Sequence, residues 1–145
     1  MSALPQTTTG FLDALANYLE SVGTLALTKG TNLFAENMVD DPERLTYQLV
    51  LHDEGNAAVA DMRLTHLNWT VRLSTSRKVR LDAAEALRPV TNYLANKRRL
   101  RLTSDAGDRY QVIATRMVQT PDVTDRLESG YFLATASVQF QVVPL

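Results

Sequence analysis

The sequence contains no cysteine, and this absence removes several kinds of chemistry at once. Disulfides, thiolate nucleophiles and cysteine-ligated zinc are all excluded, so folding does not depend on the redox state of the compartment. Long apolar runs are also missing, because no stretch approaches the roughly 18 consecutive apolar residues that indicate a membrane span. Residues 1–6 lack the charged and apolar segments of a signal peptide. We therefore expect a soluble protein of cytoplasmic origin with no membrane partner.

The sequence has no excess of positive charge. Lysine and arginine together number 15 against 16 aspartate and glutamate residues, which gives a formal net charge of −1. A protein whose main task is to grip phosphates usually has a clear basic excess, so nucleic acid is not the expected main partner. The apolar fraction of 45% and the charged fraction of 21% are typical of a globular protein. The length of 145 residues fits one domain, 1–145.

Residues suited to catalysis are scarce. The two histidines, His52 and His66, have no second histidine or cysteine at the spacing of a metal site, and both are predicted to be surface or sheet-edge residues. The carboxylate pairs Asp40–Asp41 and Asp53–Glu54 could bind a cation or supply an acid–base pair, but adjacent acids in turns are usually just solvated. A glycine-rich phosphate-binding loop is absent. We expect no catalytic residue, no metal site and no cofactor, and hence no enzymatic activity.

Two segments have the three- and four-residue spacing of an amphipathic helix. The first runs from Phe11 to Val22; Thr8 or Thr9 can cap its start, and Gly23 can supply a left-handed residue at its end. The second lies between Lys78 and Lys97, and its apolar face is formed by Leu81, Ala84, Leu87, Thr91 and Leu94. Because Pro89 lies inside this segment, we expect a kink there or a helix that restarts near Arg88.

Alternating polar and apolar residues predict the strands. They cover segments at 24–28, 45–52, 64–75, 100–103, 110–118 and 131–143. Polar separators at 53–56, 104–108 and 121–130 are expected to form a turn, a hairpin and a long loop. Trp69 lies on the apolar face of its strand, and we expect it to pack against the second helix. The predicted fold class is α+β, with a mainly antiparallel β-sheet packed against two α-helices.

The densest charged feature is a basic cluster formed by Lys97, Arg98, Arg99 and Arg101, directly after the second predicted helix. Positive charge is favourable at the C-terminal end of a helix, so one interpretation is a solvated helix end. The alternative is a contact patch that pairs with acidic residues of a neighbouring subunit or approaches a phosphate backbone. The candidate acidic partners, Asp40, Asp41 and Glu43, lie in a predicted exposed loop.

The order of several short motifs carries a family resemblance. The helix at 11–19 is followed by a short strand and by Gly30-Thr31-Asn32-Leu33-Phe34, and then by Met38 and Pro42. The acidic, glycine-containing turn His52-Asp53-Glu54-Gly55 comes next, and the strand at 69–74 leads into the helix at 83–87. This arrangement resembles the tail terminator proteins of long-tailed bacteriophages, which are also called tail completion or minor capsid proteins. The likeness spans most of the chain.

The resemblance implies a structural virion protein. It implies a homohexameric ring that caps the tail tube and joins it to the head–tail connector protein, at the head-proximal end of the tail, after assembly in the host cytoplasm. The partners would be other copies of the chain, the tail tube protein and the connector, with DNA passing transiently through the ring. It implies no catalytic residues. Two alternatives stay open: another head–tail joining or tail tube protein, and a small ligand-binding or enzymatic α+β domain.

Overall fold

The computed structural model describes residues 8–35, 48–58, 67–95, 97–128 and 130–145. Within these ranges the chain forms two α-helices, a short 3-10 helix and six strands. In chain order they are α1 (Thr8–Ser21), the 3-10 helix (Gly23–Leu25), β1 (Leu33–Ala35), β2 (Leu49–Ala58), β3 (Leu67–Arg77), α2 (Arg80–Leu94), β4 (Arg98–Thr103), β5 (Arg109–Arg126) and β6 (Phe132–Pro144). The hairpin predicted at 104–108 is confirmed, since it joins the antiparallel strands β4 and β5.

The six strands form one sheet in the order β1-β2-β3-β6-β5-β4. The predicted fold class needs correction, because β1 pairs with β2 in parallel and the sheet is therefore mixed. Strands hold 53% of the described residues, so the sheet rather than the helices dominates the fold. The physical reason lies in the connection from Ala35 to Leu49. It is long enough for the crossover that a parallel pair needs, whereas a tight turn would have forced an antiparallel one.

β5 is much longer than the pattern predicts and is strongly irregular. It continues to Arg126, so the long loop expected at 121–130 is wrong over most of its length. Its register with β6 shifts at four places, and such bulges bend a strand and increase its twist. β4 pairs with β5 only up to Ala114, so Pro121 lies where β6 is the one described neighbour. Proline is tolerated there, because no described strand lies on the other side of β5 and the missing N–H interrupts no pairing on that side.

α1 matches its prediction closely, but the segment that follows does not. Its buried face consists of Phe11, Leu12, Ala14, Leu15, Ala16 and Leu19. Gly23 is not the left-handed residue that was expected; Ala26, with φ 54°, holds that conformation at the end of the 3-10 helix. The strand predicted at 24–28 is therefore wrong, because this segment forms the 3-10 helix and an irregular stretch instead.

α2 contains Pro89 without restarting at Arg88, and Pro89 itself is exposed. The predicted apolar face is partly wrong. Leu81 is 77% exposed and Ala84 only half-buried, while the buried side chains of α2 are Ala83, Leu87, Val90, Thr91 and Leu94. α2 begins at Arg80, so Leu81 lies in its first turn. There Leu81 faces solvent, and the first buried side chain of the helix is Ala83.

An aromatic cluster forms the centre of the core. Trp69 stacks on Phe11 of α1, with ring centroids 4.5 Å apart, so the aromatic ring that contacts it comes from the first helix and not from the second. Tyr110 and Phe140 contact Phe11 edge-on at centroid distances of 5.4 and 5.6 Å. Edge-on and offset ring pairs are the favourable geometries for aromatic side chains. This cluster therefore fixes α1 against the apolar face of the sheet.

The sheet has one apolar and one polar face. The odd-numbered residues of β3 from Leu67 to Leu73 are buried, as their parity predicts, and in β6 they pair with the even-numbered apolar residues. The alternate residues form the opposite face, and several of them are buried although they are polar: Ser74, Thr135 and Ser137. A buried polar face is not expected from strand alternation alone, and it defines the most distinctive site in the molecule.

Candidate binding site and interaction surfaces

The basic cluster lies at the edge of the sheet. Lys97 follows α2, and its Nζ lies 4.1 Å from the centroid of the Tyr93 ring, a cation–π contact that anchors this charge. Arg98, Arg99 and Arg101 belong to the edge strand β4 and are exposed, whereas Leu102 between them and the hairpin is buried in the core. The predicted cluster is therefore a charged surface carried by a strand, not only a solvated helix end.

The backbone of β4 is irregular at Arg99. This residue has φ 60°, in the left-handed region that non-glycine residues rarely adopt. Exposed basic side chains and local distortion are features that prevent one sheet edge from pairing with another. The β4 edge is therefore suited to contacts through its guanidinium groups rather than to backbone pairing.

The acidic partners proposed for this cluster, Asp40, Asp41 and Glu43, lie outside the described residues, as does His66. Asp53 and Glu54 do not form the predicted turn between strands. They lie within β2, at a bulge where the register with β3 shifts and where Gly55 has φ 108°. Asp53 Oδ1 accepts a hydrogen bond from the Gly55 N–H at 2.5 Å.

A pocket of ~530 Å³ opens on the polar face of the sheet. Its floor and walls come from four strands and from the tip after β5: His52, Glu54, Arg72, Ser74, Gln119, Thr124, Asp125, Leu127, Leu133 and Thr135. The bends in β5 bring its C-terminal half around to form one wall. His52 is only 4% exposed, so the prediction of a surface or sheet-edge histidine is wrong. Strand alternation could not indicate this burial, because the covering wall is distant in sequence.

A polar network links α1 to the hairpin between β4 and β5. Lys29 Nζ lies 2.6 Å from Asp13 Oδ1 and 2.8 Å from Asp105 Oδ2, and it also donates to Asn17 Oδ1 at 2.6 Å. Burial alone would lower the pKa of Lys29, but its bonds to Asp105 and Asp13 outweigh burial and raise it. The hydrogen bond from Lys29 and a second one from Asn17 lower the pKa of Asp105. We call this network the polar clamp, because it joins α1 to the hairpin between β4 and β5.

A second basic segment was missed at the sequence level. Lys78, Val79, Arg80 and Leu81 are all exposed at the start of α2, and they follow Arg77 at the end of β3. Arg77 is held by bonds to Thr75 Oγ1 and the Ser76 carbonyl. Basic and apolar residues alternate here, but the helical spacing places Leu81 on the predicted apolar face of the helix, which hides the segment. The segment is a second exposed basic surface, carried by α2 and not by β4.

Among the described residues, no group of three or more histidine, cysteine, aspartate or glutamate side chains is arranged to hold a metal ion. No described helix is both long enough and apolar enough to cross a membrane.

Comparison with known proteins identifies the fold but not a family. No model of a known protein family and no curated protein matches the sequence. Among solved structures, the chain is similar to a chain of the "Virion of native gene transfer agent (GTA) particle", with a TM-score of 0.62 and 14% sequence identity. The alignment covers 95% of this chain and 99% of that one. This chain therefore shares, over nearly its whole length, the fold of a chain of that virion particle.

Proposed function

We propose that this chain is a non-enzymatic structural protein of a phage-like virion, and specifically that it forms a homohexameric ring that caps the tail tube and joins the tail to the head–tail connector. The observation that carries the proposal is the fold shared with the gene transfer agent virion chain across nearly the full length of both. The order of the sequence motifs supports the finer assignment to the tail end nearest the head, with assembly in the host cytoplasm.

A closed ring requires two different and complementary surfaces on each subunit, so that successive copies meet head to tail. The exposed arginines of β4 supply one such surface in this proposal, and Asp40, Asp41 and Glu43 of the next copy supply the other. Contacts of this kind are set by charge, so assembly weakens as salt rises. The near-neutral net charge is compatible with a channel through which DNA passes without being held.

Native mass spectrometry and negative-stain electron microscopy of the purified chain test the ring. The expected species has six times the monomer mass of 16.1 kDa and a central hole. Open-ended stacks or filaments would instead favour a tail tube protein, because a head-to-tail contact that does not close produces a helical array. A monomer at every concentration, both alone and with purified tail tubes, would reject the proposal.

Charge reversal tests the surface. The double variant Arg98→Glu plus Arg99→Glu is expected to abolish rings, because like charges would face each other across the contact. A matched control is Lys78→Glu plus Arg80→Glu, which makes the same change in charge at the exposed start of α2 and is expected to leave rings intact. Restoring rings by adding Asp40→Arg and Asp41→Arg to the first variant would identify the partner residues. Rings that survive the first variant would exclude β4 from the contact.

A further inference from the structure

The pocket on the polar face contains an arginine with an unsatisfied donor. Arg72 Nε is buried and has no hydrogen-bond partner among the described residues. Arg72 lies opposite His52 of β2 and Ser137 of β6 in the sheet, so its side chain emerges between two buried polar residues. Nearly all buried polar groups in native proteins have a partner, and a charged group without one is especially unfavourable. The pocket therefore lacks an acceptor at this point.

The acidic residues of the pocket do not supply that acceptor. Glu54 Oε1 accepts a hydrogen bond from the Ser137 hydroxyl at 2.8 Å. Asp125 Oδ1 accepts one from the Arg126 backbone N–H at 2.7 Å. Neither carboxylate forms an ion pair with Arg72 among the described residues. The Nε–H of Arg72 is thus left without an acceptor among the described residues.

We propose that this pocket receives a carboxylate side chain carried on an acidic segment of a partner protein, with Arg72 as its binding partner. The inference rests on the proposed function, because it assigns the pocket to protein–protein contact within the particle. A guanidinium presents two parallel N–H donors that match the two oxygens of a carboxylate. The volume of ~530 Å³ exceeds one side chain and lies within the range of binding pockets, so a few flanking residues can enter as well.

The other lining groups favour a carboxylate over a phosphate. Glu54 and Asp125 both line the pocket, and a doubly charged phosphate would meet two like charges there. A carboxylate carries a single charge and experiences less of this repulsion. The hydroxyl groups of Ser74 and Thr135 and the amide of Gln119 add hydrogen-bonding capacity around it. Nucleic acid is therefore disfavoured as the occupant.

Nuclear magnetic resonance titration of the full chain tests the site. The probes are a synthetic hexapeptide containing two adjacent aspartates, the same peptide with asparagines, inorganic phosphate and a short DNA duplex. The acidic peptide is expected to shift the Arg72 Nε–H resonance and the amide signals around Ser137, and the asparagine peptide is not. Arg72→Gln is expected to weaken peptide binding about tenfold or more, the loss typical of a charge-assisted bond.

Two further variants act as controls. Arg116 is exposed, and its guanidinium bonds to the Gln139 side chain, so Arg116→Gln is expected to leave the peptide affinity within about twofold of the original. Glu54→Gln removes a repelling charge and is expected to tighten binding, an effect that a merely unfolded variant could not produce. Unchanged spectra away from the pocket verify that Arg72→Gln is folded.

Several results would overturn the inference. They are equal binding of the acidic and asparagine peptides, peptide binding that survives Arg72→Gln, and stronger binding of phosphate or DNA than of the acidic peptide at this pocket. Ring formation is scored separately on the same samples. Rings without peptide binding would reject the pocket and keep the ring, whereas peptide binding without rings would reject the ring and keep the pocket.

Discussion

The orientation of α2 can be tested with one substitution made at two positions. Leu81 and Leu87 both belong to the apolar face that the sequence predicts, but Leu81 is 77% exposed and Leu87 is fully buried. Replacing each with alanine changes the same atoms on the same helix. Any difference in stability between Leu81→Ala and Leu87→Ala therefore reports on burial and not on helix propensity.

The expected magnitudes follow from that difference in burial. Leu87→Ala removes a side chain from the core cluster and leaves a cavity, which costs about 2–5 kcal/mol in the free energy of unfolding. Leu81→Ala removes atoms that already contact water, so its effect should remain within about 0.5 kcal/mol. The two variants should thus differ by at least about 1.5 kcal/mol, which corresponds to more than tenfold in the unfolding equilibrium.

Urea denaturation followed by the emission of Trp69, the single tryptophan, measures both values. The midpoint should fall for Leu87→Ala and stay fixed for Leu81→Ala, with the slope of the transition unchanged in both. Equal losses at the two positions would restore the sequence-based face of α2 and refute the orientation described above. The same result would also remove Leu81 from the exposed basic segment.

Three further predictions concern the core, the polar clamp and one turn. Phe11→Ala should lower the free energy of unfolding by about 3–5 kcal/mol, measured by the same urea titration, because Phe11 joins the aromatic cluster. Lys29→Met should cost about 1 kcal/mol near neutral pH after solvent screening. The bond from Lys29 lowers the pKa of Asp105, so the stability that this bond contributes is complete above the ordinary pKa of 3.8 and is lost as the pH falls through the lowered folded pKa. The urea midpoints of the original protein and of Lys29→Met should therefore converge in strong acid. Gly107→Ala should cost about 1–2 kcal/mol in thermal unfolding, because Gly107 has φ 95°, while Gly23→Ala, without a positive φ, should cost less than about 0.5 kcal/mol.

Local patterns predicted those parts of the fold that depend on neighbours in sequence. The helical spacing from Phe11 to Leu19 identified α1 and its buried face, because each turn of a helix repeats over a few residues. The alternation around Trp69 likewise identified the apolar face of β3. The same reasoning did not identify Phe11 as the ring that stacks on Trp69, since alternation says which face is buried and not what covers it.

The two candidate sites differ in whether their residues are neighbours in sequence. The cluster at Arg98, Arg99 and Arg101 could be found because its charges are contiguous in sequence, although its place on an edge strand could not. The pocket around Arg72 could not be found at all. It combines β2, β3, β5 and β6, and it exists because β5 is bent at four irregularities of register. Bulges leave little trace in a hydrophobic pattern, because they insert single residues into an otherwise regular strand.

The sequence by itself determined that cysteine chemistry is excluded, where the main helices and most strands lie, and which face of β3 and β6 is apolar. These properties follow from composition and from periodicities of two and 3.6 residues, which are set by backbone geometry within each segment. Only the tertiary structure decided that β1 joins the sheet in parallel, that Phe11 of α1 stacks on Trp69, and that Arg72 lines a polar pocket. Those outcomes depend on contacts between residues far apart along the chain, and their free energies are fixed by packing and register rather than by local sequence.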